Sequence, residues 1–586
     1  MCMTPLIATG LGTRRLLIVG LVCIFPYLGS NVVIGATPDP VRSQNGVVAA
    51  DHHSASKVGA RVLANGGNAV DAAVATALAL GVVNPASSGI GGGGFALIYI
   101  ASEKKTYVVD FREMGPAAIS PKLFVRNGKV DTNLSQRGGL AVGVPGEIAG
   151  LEYLVKRFGK RSWRRAVLPA HRLASRGFVA SRFLHSAAKF YEKTIKPQSQ
   201  LGQLLFTNEK LFRRGQIIKR PKLARTLWQL ATRGGRAYYR GKIAQDIVSS
   251  TRAAGGVLTM KDMANYRVVS RKPLIGQWNG YRVATMPVPS SGGVVLLEAL
   301  GIIGASGQDL RKHGANSSAT MHIIAEALKH AFADRSRFLG DTNPAKLTSS
   351  KLLDAARLKR LGGLIKLDTT LPHGQYGDKK LGAAKAPPAK GGGTSHLCVV
   401  DRHGNAVALT TTVNGYFGAK LVTDKTGIVL NNQIDDFSLK SGVANMYGLV
   451  QSDFNLVGPG KRPLSSMSPT LVFKRDKVVG CFGGSGGPKI ISNTMQTIIN
   501  TFVFGMDPAQ AVSAPRLHHQ WTPNVLLVNQ DTPADVVMGL KRRGHKIKQR
   551  SWRFAPTAVQ AVTVDSNGMR KAASDPRKGG LPAAQR

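Results

Sequence analysis

The stretch KGGGTSHLCVVD, Lys390–Asp401, sets three glycines against one threonine and then enters an alternating apolar strand. After RHGN the apolar pattern resumes in AVALTTTV, so Gly404 and Asn405 mark the turn of a β-hairpin. By itself the motif reads first as a flexible loop entering a strand. It also suits a backbone meant to break at Gly393–Thr394. An internal threonine hydroxyl is a poor nucleophile. At the head of a chain, Thr394 would carry its own α-amine, whose unperturbed pKa of about 7.7–8.0 suits a general base near neutrality. Nucleophile and base then come from one residue. The glycines allow the strained geometry in which the Thr394 hydroxyl attacks the Gly393 carbonyl. An N→O acyl shift gives an ester, and water releases the two fragments.

The chain around this motif has 586 residues, 43% of them hydrophobic, enough to bury a large core. Length alone suggests three or four domains. The 79 Lys and Arg against 32 Asp and Glu give a net charge of +47, which raises a nucleic-acid reading. Basic clusters occur at 156–165, 212–225 and 541–553, the first and last with Trp163 and Trp552 available to stack on bases. No nucleic-acid-binding motif accompanies them, so they read as solvated helix faces whose stems cover apolar surface. Attraction to an anionic wall or membrane surface is the alternative use of that charge.

Arg14 and Arg15 precede an uncharged run that extends to Asp39, with small residues at Gly35-Ala36. This is the pattern of an export signal cut near Ala36. An uncleaved anchor is the alternative, weakened by Pro26, Gly29, Ser30 and Asn31. Only Cys398 and Cys481 lie beyond that segment, in apolar strand-like runs without metal spacing, and they read as buried free thiols.

From His53 to Pro85 the pattern is two helices joined at Gly66-Gly67, followed by a glycine-rich turn, Gly91–Gly94, into a buried strand. That turn lacks a GxGxxG or a Walker lysine, so close backbone packing is expected rather than a phosphate cradle. Thr106–Glu113 reads as a strand ending at Arg112. The region from about Leu151 to Leu381 reads as largely helical, with strands near Val257 and at Gln277–Pro287. The low-complexity KKLGAAKAPPAKGGG is expected to be a mobile connector within one domain. Strands dominate after it, with a helix at Ile490–Phe502. The fold class expected is α+β, a four-layer αββα sandwich.

Several long, irregular stretches resemble the γ-glutamyltranspeptidase family of N-terminal-nucleophile hydrolases. They are NGGNAVDAAVA, GGGGFALIY, DFREMGP, GGGTSHLCVVD, NNQIDDFS, GKRPLSSMSPT, GPKIISNTMQ and APRLHHQW, which together cover nearly everything after the leader. The resemblance implies that Thr394 is the nucleophile opening the small subunit and that Thr412 supports it. It implies that Asn414, Gln433 and Asp436 hold the α-amino group of the donor, and that Arg112, Ser465 and Ser466 hold its α-carboxylate. Gly486 and Gly487 match the oxyanion-hole pair, and Tyr447 matches a gate on the lid loop. The chemistry asks for the same types: a guanidinium grips a carboxylate bidentately, an aspartate offsets an ammonium, and adjacent glycines let backbone N–H groups approach an oxyanion. Each residue also has a structural alternative. Arg112 suits an ion pair with Glu113 or Asp110, Asp435 and Asp436 suit a turn, and Ser465-Ser466 suit a helix cap. His518-His519 shows no third ligand and reads as structural. Ser485 stands where many relatives have proline, and Pro488-Lys489 where they have serine and arginine.

The expectation is therefore an exported, periplasmic or secreted proenzyme, membrane-bound only if residues 1–36 are retained. It would divide into a large subunit, 37–393, and a small subunit, 394–586. It would move the γ-glutamyl group of glutathione-like donors to water, amino acids or peptides through a Thr394 ester, with no cofactor, no metal and no nucleic-acid partner. Two alternatives stand: a glutaryl-type cephalosporin acylase of the same family, which the aspartate at 436 argues against, and a non-catalytic basic binding protein.

Overall fold

Alternation along the strands decides the architecture, because successive side chains point to opposite faces. The computed structural model describes residues 37–341, 349–378, 392–551 and 557–585. The expected leader, most of the low-complexity connector and Trp552 lie outside the described residues.

Two seven-stranded sheets stack face to face. In chain order their strands are β1 (Val41–Ser43), β2 (Val47–Ala50), β3 (Gly93–Ile100), β4 (Lys105–Phe111), β5 (Val269–Arg271), β6 (Leu274–Trp278), β7 (Tyr281–Thr285), β8 (Gly392–Val400), β9 (Ala406–Gly415), β10 (Thr470–Lys474), β11 (Lys477–Ser485), β12 (Ala558–Val564), β13 (Arg570–Ser574) and β14 (Ala583–Ala584). One sheet runs β5-β4-β3-β9-β8-β2-β14 and the other β1-β13-β12-β11-β10-β7-β6. Every pairing within them is antiparallel.

The two faces of each strand feed different cores. Cys398 and Val400 of β8, Phe95 and Leu97 of β3, Leu471 and Phe473 of β10 and Cys481 of β11 meet between the sheets. Their neighbours Leu397, Val399, Ala96 and Ile98 face outward onto helices α1 (His53–Ala64) and α2 (Ala69–Val83). On the far side, Val472, Phe482 and Val559 pack against α3 (Ser291–Ala305), α4 (Ser318–Phe338) and α5 (Lys489–Phe502). The result is the αββα sandwich. Both cysteines are buried free thiols.

Most elements match the sequence reading, with instructive exceptions. The strand expected near Val257 does not form. Thr259 instead caps a short helix, Met260–Asn265, by accepting from the Asp262 N–H, and a strand begins only at Val269. Gly392 and Gly393 are not loop but the first paired residues of β8, opposite Gly415 and Asn414. Trp163 is buried, its indole N–H donating to the Leu230 carbonyl at 2.9 Å, which removes it as a base-stacking surface. No helix among the described residues is long and apolar enough to cross a membrane.

The Gly91–Gly94 turn is close packing, as expected. A Cβ on Gly92 would sit 1.9 Å from the Thr412 carbonyl oxygen, and one on Gly94 would sit 2.2 Å from that of Thr410. The turn is thus the floor that lets β9 lie flat. Gly92→Ala should displace β9 and cost about 1–3 kcal/mol of stability. Thermal melts are expected to show a lower Tm than the parent; an unchanged Tm would refute the close-approach account.

Candidate active site

The hairpin of β8 and β9 brings two threonines side by side. Thr394 pairs with Thr412 and Gly393 with Asn414, with an irregularity in register between Gly393 and Thr394. The Thr412 hydroxyl donates to the Gly393 carbonyl oxygen at 2.8 Å. Its single proton is thereby used, so at the 2.9 Å contact between the two hydroxyls Thr394 is the donor. The backbone N–H of Asn414 donates to the same Thr412 oxygen at 2.9 Å. A relay runs from the Thr394 hydroxyl through Thr412 to the carbonyl of the bond ahead of Thr394.

Around this relay one small cavity gathers Thr394, Thr412, Asn414, Gln433, Asp436, Arg112, Ser465, Ser466, Tyr447 and Gly487. These come from both sides of the Gly393–Thr394 bond. Gly486, absent from the lining, precedes Gly487 just past β11, and the two flank the Gly392–Thr394 segment: a Cβ on Gly392 would lie 3.1 Å from the Gly487 nitrogen. Gly487 has φ +63°, and a Cβ there would meet the Tyr447 ring at 2.7 Å, so the position favours glycine.

The polar groups are tied to one another. Arg112, just past β4, donates through Nε to the Pro463 carbonyl at 3.1 Å and through Nη2 to Asp436 at 2.5 Å. Its side chain therefore pairs with Asp436 rather than with Asp110, and Glu113 lies farther off at 3.8 Å. Gln433 Nε2 also donates to Asp436, at 2.7 Å, while Gln433 Oε1 is buried without a partner. Asp436 and Asp435 lie in one 3-10 turn, Gln433–Asp436. Burial raises the Asp436 carboxyl, and Arg112, Gln433 and Arg335 pull it back down. Ser465 caps no helix; its segment bridges to Ser290. Tyr447 is 4% exposed and closes the cavity, its hydroxyl donating to the Asn414 carbonyl at 2.8 Å. The space left is about 20 Å³, room for about one water.

Three features were not read from the sequence. Arg335 of α4 lines the same cavity. Asp435 accepts from Ser135 at 2.8 Å and from the Met446 N–H at 3.1 Å, so it holds the segment that carries Tyr447. Below Thr394, the buried Lys578 ammonium donates to Asp51 at 2.6 Å, to Ser485 at 3.2 Å and to the Thr394 carbonyl. Burial raises Asp51 and lowers Lys578, and their pairing opposes both shifts. The serine at 485 supplies a hydroxyl acceptor that a proline ring lacks. Lys578 sits in a loop near the C-terminus, where no periodicity marks it.

His518 bonds Ser492 and Gln520, and His519 bonds Asn524 and the Trp521 N–H, both within the fold's own network. A different trio, His322, Glu326 and His545, brings ligand-type atoms within 4.8 Å of one another. Its carboxylate already accepts from Lys329 and Tyr376, and the neighbouring ammonium opposes a cation there.

The family profile described as Gamma-glutamyltranspeptidase matches residues 55–585. A glutathione hydrolase proenzyme of Escherichia coli K12 is 39% identical over 92% of this chain and 91% of its own length. Among solved structures, a cephalosporin acylase from Bacillus halodurans superposes with TM-score 0.81 at 28% identity, covering 94% of this chain and 98% of that one. A Helicobacter pylori gamma-glutamyltranspeptidase chain superposes with TM-score 0.53 at 35% identity, covering 58% of this chain and 95% of its own.

Asp435 offers a pH test of its hold on the segment that carries Tyr447. Burial, with Asp436 beside it, pushes its carboxyl up from 3.8 to about 7. A raised carboxyl stabilises the fold below the unfolded value and loses that contribution as pH rises through about 7. Relative to the parent, Asp435→Asn should therefore have a more favourable Tm near pH 8 than near pH 4. Equal differences at both pH values would reject the assignment.

Proposed function

The chain belongs to the gamma-glutamyltranspeptidase family, and from that premise we propose a self-cleaving γ-glutamyltransferase and glutathione hydrolase whose nucleophile is Thr394. The observation that carries this reading is the Thr412 hydroxyl, which spans the Thr394 hydroxyl and the Gly393 carbonyl. In the intact chain the Thr394 oxygen attacks the Gly393 carbonyl carbon, and the Thr412 donor faces the oxygen on which negative charge develops. The proton lost by the Thr394 hydroxyl passes to the nitrogen, the C–N bond breaks, the Gly393 acyl group stays on the Thr394 oxygen, and the nitrogen is left as an amine. Water then opens the ester, leaving a Gly393 carboxylate and a free Thr394 α-amine. The parts on either side stay together because β8 is hydrogen-bonded between β9 and β2, one from each part.

In the second stage the amine takes the hydroxyl proton as the Thr394 oxygen attacks the γ-carbonyl of a donor. Backbone N–H groups at Gly486 and Gly487 receive the oxyanion, and the departing amine leaves with a proton. The γ-glutamyl ester on Thr394 then passes to water or to an amino acid or peptide amine.

An amino-acid head fits the charges around the relay. Asp436 is the anion for an ammonium, and the unpartnered Gln433 Oε1 is a second acceptor for it. Arg112, with Ser465 and Ser466, receives the carboxylate. In the cavity Arg112 and Asp436 satisfy each other, so a zwitterionic donor exchanges one ion pair for two. Asn414 orders the site through its amide, which donates to the Asn432 carbonyl at 3.0 Å. A glutaryl donor lacks the ammonium and would leave Asp436 and Gln433 unmatched, which favours γ-glutamyl over the acylase reading. With so little space free, Tyr447 and its loop must lift for a donor to enter. Export with removal of the leader near Ala36 completes the proposal.

Two experiments test it. Thr394→Ala should give one full-length band on a denaturing gel. Thr412→Val should slow cleavage by roughly 10²–10³, the loss typical of one oxyanion donor. The parent should yield a chain beginning Thr-Ser-His-Leu on N-terminal sequencing, and two bands from Thr394→Ala would end the self-cleavage account. On the mature enzyme, Arg112→Ala should raise KM for a γ-glutamyl anilide by about tenfold or more, the scale of a lost charged hydrogen bond. Unchanged kinetics would remove Arg112 from the carboxylate pocket.

A further inference from the structure

Arg335 is a second guanidinium in the cavity, and its bonding is incomplete. It lies on α4, is 1% exposed, and lines the site with Arg112, Asp436 and Ser465. Its Nε donates to the Ser291 hydroxyl at 2.9 Å and its Nη2 to Gln451 Oε1 at 2.9 Å. Nη1 is buried without a hydrogen-bond partner. No carboxylate among the described residues forms an ion pair with it; Asp436, the nearest acidic influence, is already engaged by Arg112 and Gln433. Burial accordingly lowers the guanidinium to about 10. A buried donor left unbonded is costly, and more so when charged.

The two partners of Arg335 connect it to both halves of the head-group pocket. The Ser291 hydroxyl donates to the Ser465 carbonyl at 2.6 Å. Gln451 Nε2 donates to the Asp436 carbonyl at 2.9 Å. The guanidinium plane is thus held rigidly between the serine segment and the acidic turn, with one nitrogen still to be satisfied. The free N–H calls for an oxygen acceptor, and a carboxylate meets both its hydrogen bond and its unpaired charge.

We propose that Arg335 is a second carboxylate-binding residue of the donor site, its Nη1 donating to the α-carboxylate that Arg112 also grips. The inference rests on the γ-glutamyl reading of the site and adds a specificity element to it. Of the charged side chains that line the cavity, two are guanidiniums and one an aspartate; Glu113 lies behind Arg112, its carboxyl pushed up to about 8 by burial, and the donor α-carboxylate supplies the anion that Arg335 lacks. The ammonium end of the donor contacts Asp436 and Gln433, which Arg335 influences only through Gln451 and at a distance, so removal of Arg335 is felt mainly by the carboxylate.

Three p-nitroanilides separate the contributions: γ-glutamyl carries both charges, glutaryl only the carboxylate, and 4-aminobutyryl only the ammonium. In self-cleaved enzyme, Arg335→Met should lower kcat/KM about 10- to 150-fold for the two carboxylate-bearing anilides, mainly through KM. The 4-aminobutyryl value should stay within about threefold, and Arg335→Lys should restore part of the loss. Equal losses on all three anilides would mean that Arg335 only props Ser291 and Gln451, and would overturn the proposal, as would unchanged KM for γ-glutamyl anilide. A parent enzyme preferring glutaryl to γ-glutamyl anilide would overturn the donor reading instead, while the carboxylate comparison would still decide Arg335. Should Arg335→Met fail to mature, the same ratios measured on Arg335→Lys decide the matter, because lysine keeps the charge and loses the fork.

Discussion

The pairing of β8 with β9 is the constraint on which the site depends. Thr394 reaches Thr412, and Thr412 reaches the Gly393 carbonyl, only in this register. A slip by one residue would turn every side chain of β8 to the opposite face, burying the hydroxyls in the wrong layer. Register is secured by what surrounds the pair. β9 lies against β3 over the Gly92–Gly94 floor, β8 lies against β2, and Cys398, Val400, Ala406 and Ala408 anchor the same face in the central core. The packing of the sandwich and the alignment of the two threonines with the Gly393 carbonyl are therefore one requirement.

Burial gives the site its electrostatic character. Arg112, Arg335, Asp435 and Asp436 are all buried, where an unpaired charge is costly. The acidic turn meets this with a directed network: Asp436 takes Arg112 and Gln433 by its side chain, and Gln451 and Asn455 by its carbonyl. Lys578 performs the same service beneath Thr394, joining Asp51, Ser485 and the Thr394 carbonyl. The ion-paired cavity thus carries its own counter-charges, which is the feature the proposed zwitterionic donor would exploit by exchanging one ion pair for two.

Much of this was legible in the chain itself. The hairpin at Gly404-Asn405, the helix pair broken at Gly66-Gly67 and the helix ending at Phe502 each follow from local pattern and turn chemistry. The glycines ahead of Thr394 read by themselves as a loop, and it is the family motifs around them that single the threonine out. The residues named through the family resemblance lie in one pocket or, for Gly486, directly beside it. The misreadings were local too: the apolar residues near Val257 suggested a strand, but the Thr259 cap committed the backbone to a helix. The triglycine suggested loop, but tertiary pairing drew two of its residues into β8.

The sequence alone determined the layers, the hairpin and the residue type at the head of β8, because alternation and turn propensity act over a few neighbouring residues. Only the tertiary structure decided that Arg112 pairs with Asp436, 324 positions away, that Arg335 faces the same cavity with one nitrogen unsatisfied, and that Lys578 supports Thr394 across 184 positions. Such meetings leave no local pattern. They arise from how four layers stack, and the closeness of two side chains then depends on packing geometry rather than on spacing along the chain.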